Sequence, residues 1–212
     1  MLPIQDKRKT RFFSYARQVA LLVLFVLNTQ GASLPDRPNI IVILTDDQGY
    51  GDLSIHGNTL IQTPNMDRLA KEGVRVKEFY VTPLGATTRA SLLTGRYNQR
   101  TGVFWPAKGA EVLRHGEVTI AEALKEVGYH TSIIGKWHLG RYGQYSPLTH
   151  GFDEFFGFRD GMIDDYFDTT LEHNGRPTQI HNYITNALTE AALRFVQTNQ
   201  HQPFFLYLSY NA

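Results

Sequence analysis

Cysteine is absent from all 212 residues. That excludes disulfides, thiolate metal ligands and any catalytic thiol, so the fold must rest on its packed core. An excess of one charge is missing too. Lys and Arg number 21 against 20 Asp and Glu, for a formal net charge of +1, and no basic stripe runs through the body of the chain. Nucleic acid is therefore not an expected partner. There is no internal repeat and no low-complexity linker. A membrane-crossing helix needs about 20 apolar residues, and Val19–Leu27 falls far short, so no stable membrane span is expected.

That short run does have a reading. Lys7, Arg8, Lys9, Arg11 and Arg17 precede it, and the small and polar stretch Asn28–Ser33 follows it. A basic lead, a brief apolar centre and a small-residue exit describe a secretory signal peptide over residues 1–33. The mature chain then starts near Ala32 or Leu34 and is exported, to the periplasm or the extracellular space.

The remainder alternates strand and helix signals. Asn39–Thr45 is an uninterrupted β-branched apolar run, which predicts a central strand buried on both faces. Thr63, Pro64 and Gly73 bracket a helix as cap, first-turn residue and left-handed stop. Val74–Val81 predicts another strand. A short helix is expected over Arg89–Thr94, closed by Gly95. Thr119 and Glu122 form a capping box that opens a helix stopping at Gly128. His130–Gly135 and Pro203–Ser209 read as strands. Ile184, Ala187, Leu188, Ala191, Ala192, Phe195 and Val196 keep helical spacing between them. The whole is an α/β chain with a largely parallel central sheet flanked by helices. It stops directly after its last core strand, which reads as a truncated product or fragment.

Chemistry is expected where a buried parallel strand ends, because open α/β sheets bind ligands there. Asp46 and Asp47 occupy that place. Two adjacent carboxylates repel, and a hard divalent cation is the usual reason to hold them together. Taken alone, the pair is more often a solvated turn. The other histidines (His56, His115, His130, His173, His181 and His201) lack ligand spacing and read as surface or loop residues.

Three blocks in order change the weighting: Asn39-Ile-Ile-Val-Ile-Leu-Thr-Asp-Asp-Gln-Gly49, Gly85-Ala-Thr-Thr-Arg-Ala-Ser-Leu-Leu-Thr-Gly95 and Gly135-Lys-Trp-His-Leu-Gly140. With Thr63–Ala70, His150–Gly157 and Pro203–Ala212, they resemble the sulfatase family of the alkaline-phosphatase-like superfamily, over residues 37–212. The resemblance implies the N-terminal part of a catalytic domain. It implies that Asp46 and Asp47 bind calcium, that Arg89 steadies the nucleophile, and that Lys136 and His138 contact the sulfate. Trp137 and Leu139 are expected to point into the core. The family's remaining metal ligands would lie beyond Ala212, so weak or absent calcium binding is expected of this chain alone.

One departure is severe. The family places Cys or Ser where this chain has Gly85, and oxidises it to formylglycine, the hydrated aldehyde that attacks sulfur. Gly85 offers no side chain to oxidise, so the formylglycine-generating enzyme is not expected to act on it. Thr87 also stands where Pro is usual. The resemblance therefore implies a sulfuric ester hydrolase by descent, inactive as written, acting on a sulfated small molecule or glycan. The alternative is a non-catalytic pseudo-enzyme that binds sulfated glycans. A third reading gives Thr87 or Thr88 the role of direct nucleophile.

Overall fold

The computed structural model describes residues 37–107 and 109–211. The expected signal peptide lies outside them. The regular elements are β1 (Ile40–Leu44), α1 (Pro64–Glu72), α2 (Gly85–Thr94), α3 (Asn98–Thr101), α4 (Ile120–Glu126), β2 (His130–Lys136), β3 (Glu154–Phe158), β4 (Thr169–His173), β5 (Arg176–Ile180), α5 (Ile184–Asn199) and β6 (Phe204–Ser209). The strands form one sheet in the order β1-β6-β2-β3-β4-β5. The first four run parallel, and β4–β5 is an antiparallel hairpin. The expected α/β class with a largely parallel sheet is the one observed.

β6 shows how the layers close. All six of its residues are buried, because the two faces meet different cores. Phe205 and Tyr207 pack with Ala86, Ala90 and Leu93 of α2, Ala121 of α4, and Trp137, Leu139 and Phe152. Phe204, Leu206 and Leu208 pack against Ile184, Leu188, Ala192 and Phe195 of α5. The seven apolar positions read at helical spacing in α5 thus form its sheet-facing stripe, five of them buried and Ala191 and Val196 partly so. Trp137 and Leu139 are fully buried, as expected.

Several expectations need correction. Among the described residues β1 is not central: it is an edge strand paired with β6 alone. Ile40, Val42 and Leu44 pack inward, while Ile41 and Ile43 are 47% and 57% exposed, because α5 covers the inner strands and stops short of β1. Val74–Val81 forms no strand, and every residue there is exposed. Apolar alternation needs a partner edge for its backbone hydrogen bonds, and this segment has none among the described residues. Gly73 follows α1 with φ −110°, not in the left-handed region, and the Thr63 hydroxyl makes no cap bond, bonding Ser54 and Asp67 instead. α2 begins at Gly85, four residues before the expected start. The Thr119–Glu122 capping box is present in both directions. The β4–β5 hairpin turns on Asn174-Gly175, both at positive φ (49° and 84°), the type I′ pattern. The Asn174 side chain also accepts from the Phe155 N–H at 2.7 Å, tying the hairpin to β3.

Candidate active site

The parallel strands deliver their carboxyl ends to one edge, and the predicted site residues arrive there from three directions. Asp46 and Asp47 follow β1. Lys136 ends β2, with His138 two residues on. Gly85 opens α2, and Arg89, one turn later, lies on the same helix face. The N-terminus of α2 adds its partial positive charge, which favours an anion.

Arg89 is the most enclosed of the set, 1% exposed. Its Nη1 donates to the Lys136 carbonyl and the Tyr207 hydroxyl, each at 3.2 Å, and to the Ser209 hydroxyl. Its Nη2 lies 3.7 Å from Asp46 Oδ1. Ser209 in turn donates to the Lys136 carbonyl at 2.7 Å. Lys136 Nζ donates to Asp46 Oδ2, forming an ion pair. Asp46 is therefore gripped by two cations, while the Arg89 Nε–H is buried with no hydrogen-bond partner among the described residues. Burial holds the Lys136 ammonium below its ordinary range, against the opposing pull of Asp46, and the Arg89 charge pushes the same way as burial.

His138 completes the cluster in a left-handed backbone conformation, φ 59°. Its N–H donates to the Arg159 carbonyl at 3.1 Å, next to the Trp137 N–H on the Phe158 carbonyl, so the continuation of β3 fixes the turn. Its Nε2 meets the Pro106 carbonyl at 3.1 Å. A carbonyl only accepts, so in the neutral ring the proton sits on Nε2 and Nδ1 is a bare acceptor. That Nδ1 is buried without a partner among the described residues. Burial lowers the His138 pKa, and the nearby Lys136 and Arg89 charges lower it further.

The orphaned Nδ1 points at position 85. A Cβ there would lie 3.2 Å from His138 Nδ1 and 3.7 Å from Lys136 Nζ. The space in front of Gly85 is thus bordered by a bare imidazole nitrogen and an ammonium, with a guanidinium one helical turn below. Thr87 and Thr88 do not compete for it: their hydroxyls donate to the Leu84 and Thr82 carbonyls at 2.9 and 2.7 Å, securing the start of α2.

The structure brings together Asp46, Gly85, Arg89, Lys136 and His138. Asp47 stands apart, exposed and at φ 52°, with no ion pair among the described residues. Sequence reasoning missed Tyr207, Ser209, the Pro106 carbonyl and Gly161, which lies flush against the imidazole, so that a Cβ there would stand 2.6 Å from His138 Cε1. The carboxyl-end rule pointed to Ser209, whereas a backbone carbonyl leaves no trace in a sequence. His150, within the His150–Gly157 block, is fully buried and spans the Ser146 and Leu113 carbonyls, a structural clamp.

Calcium takes about six to eight oxygen ligands. Here Asp46 is engaged by Lys136 and Arg89, and no group of three or more His, Cys, Asp or Glu converges among the described residues. These residues by themselves do not fit a calcium ion. A cavity of about 390 Å³ between α5 and the sheet shares no residue with the cluster.

A carboxylate, two buried cations and an imidazole gather around a helix N-terminus at the carboxyl edge of a mostly parallel sheet, in an α/β protein. The family model described as Sulfatase matches residues 38–212. The chain belongs to the sulfatase family. It is 36% identical to the N-acetylgalactosamine-6-sulfatase of Mus musculus, over 93% of this chain and 44% of that protein. It is 40% identical to the steryl-sulfatase of Homo sapiens, over 66% of this chain and 27% of that one. Among solved structures, Ps i-CgsB in complex with k-i-k-neocarrahexaose superposes with a TM-score of 0.76 at 36% identity, over 83% of this chain and 45% of the other. A protein solved with its substrate D-glucosamine-2-N,6-O-disulfate gives 0.70 at 33%, over 83% and 34%. The chain spans less than half the length of these relatives. Among the described residues, no helix is long and apolar enough to cross a membrane.

Proposed function

We propose that this chain carries the sulfate-gripping half of a sulfuric ester hydrolase site, and that Gly85 leaves that site without its nucleophile. The observation that carries the reading is the place of the missing side chain: a Cβ at 85 points between His138 Nδ1 and Lys136 Nζ. In the family's chemistry, one hydroxyl of a hydrated formylglycine attacks sulfur and the alcohol departs with a proton. The second hydroxyl then loses its proton, the carbon–oxygen bond to sulfate breaks, and the aldehyde returns. His138, bare at Nδ1 and facing position 85, suits proton transfer at those hydroxyls. Lys136 and Arg89 suit the charge that develops on sulfate oxygens. Asp46 and Asp47 are the chain's own candidates for metal ligands in a longer protein. The signal-peptide pattern supports an exported protein.

The test is Gly85→Cys in the longer protein, produced together with the formylglycine-generating enzyme. Hydrolysis of 4-nitrophenyl sulfate should rise from background by the roughly 10³-fold or more that an activated nucleophile contributes. A matured Gly85→Cys protein with no turnover sinks the reading.

A second reading has its own support, because Gly85 removes the nucleophile while Arg89, Lys136 and His138 remain in place. The unmodified protein then binds sulfated glycans without cleaving them. Equal affinity for a sulfated glycan and its desulfated counterpart rules this out.

A further inference from the structure

Ser209 closes β6 and is fully buried. The β2–β6 register ends with Gly135 opposite Ser209, so the Lys136 carbonyl lies one residue past the ladder and needs a donor from elsewhere. The Ser209 hydroxyl supplies one at 2.7 Å. The same hydroxyl oxygen accepts from Arg89 Nη1. Both directions are forced, because a guanidinium only donates, a carbonyl only accepts, and a hydroxyl does both. One side chain therefore stands between the two cations that hold Asp46, through the guanidinium of one and the backbone of the other.

Ser209 is itself fixed from two sides. A Cβ on Gly135, at φ 114°, would overlap the Ser209 carbonyl oxygen, so β2 and β6 meet backbone to backbone here. Toward β1, Ser209 pairs with Leu44, two residues before Asp46, and the Tyr210 N–H donates to the Leu44 carbonyl at 2.9 Å. Tyr207 provides the contrast. Its hydroxyl also meets Arg89 Nη1, at 3.2 Å, but bonds nothing on Lys136 among the described residues. It can steady the guanidinium without tying it to β2.

We propose that Ser209 is a positioning residue of the anion site: its hydroxyl sets Arg89 and Lys136 relative to each other, so that the two cations act as one rigid cradle. The inference rests on the sulfate site proposed above and assigns its alignment to β6.

Isothermal titration of the unmodified chain and its variants with inorganic sulfate, together with ¹⁵N NMR of the Arg89 guanidinium, tests it. Ser209→Ala should weaken sulfate binding about tenfold, as expected when a buried charged donor loses its acceptor, whereas Ser209→Thr and Tyr207→Phe should each stay within about threefold of the parent. The parent should show separate Arg89 Nη signals, the mark of a guanidinium whose rotation is held, and Ser209→Ala should merge them. A residue that only supports the fold would lower stability and leave the affinity of the folded protein unchanged. Parental affinity in Ser209→Ala, equal losses in the Ala and Thr variants, or a Tyr207→Phe loss as large as that of Ser209→Ala overturns the assignment. If the parent itself binds no sulfate, the sulfate site falls, while the Arg89 signals still decide whether Ser209 holds the guanidinium.

Discussion

Two stretches of similar length show how far apolar content goes in deciding structure. Thr131–Gly140 is buried at every position, whereas Lys71–Val81 is exposed at every position. The second is not short of apolar side chains: Val74, Val76, Phe79, Tyr80 and Val81 are 96%, 67%, 70%, 85% and 61% exposed. The first lies between β6 and β3, so both its edges and both its faces have partners. Burial is a property of a pair of surfaces, and an apolar run supplies only one of them.

Mutation sharpens this contrast most strongly. Trp137 is fully buried, stacks edge-on against Phe152, and donates its indole N–H to the Tyr145 carbonyl at 2.8 Å. Trp137→Ala should cost about 3–5 kcal/mol, whereas Phe79→Ala should stay within about 0.5 kcal/mol. Urea denaturation of the two variants measures both, and equal losses would erase the distinction.

An intermediate effect is expected where the buried stretch meets the site. Gly161→Ala forces a methyl group into the enclosed His138 ring, so it should cost about 1–3 kcal/mol as an overpacked contact. It should also shift the His138 ring signals in an NMR spectrum. A variant of unchanged stability and unchanged His138 signals would show that the ring has room to move.

The smallest effect is in pH. The folded state holds His138 below its ordinary pKa of 6.5, chiefly through burial. The unfolded chain therefore binds the proton first, and stability falls as pH drops from 6.5 through the lower folded value. Asp67 and Asp153, both lowered from 3.8, act only in more acid solution. His138→Gln should flatten the decline just below pH 6.5 and leave the acid limb in place. A parallel pair of stability curves would remove His138 as the cause.

The legible parts of the fold were those whose pattern is local. Residues 130–135, centred on Ile133 and Ile134, and the apolar run 203–209 match β2 and β6 within one residue, and Thr119 with Glu122 marks α4 through a cap spanning three residues. β3, β4 and β5 carry weaker local signals: all but the last residue of Glu154–Phe158 lies within the His150–Gly157 block, and the polar Thr169–Ile180 has little apolar alternation. Its Asn174-Gly175 turn is nonetheless a hairpin signal that the sequence did contain. In the site, Asp46, Gly85, Arg89, Lys136 and His138 were legible because each belongs to a contiguous block.

By itself the sequence determined which groups are available: no thiol, no side chain at 85, two neighbouring carboxylates, and a Lys and a His two residues apart at the end of a strand. Those are matters of covalent identity and local spacing. The tertiary structure alone decided that Arg89 reaches Ser209 and Tyr207 across more than a hundred residues, that His138 turns a bare nitrogen toward Gly85, and that β1 lies at an edge. These depend on which surfaces meet, and no short window of sequence contains both partners.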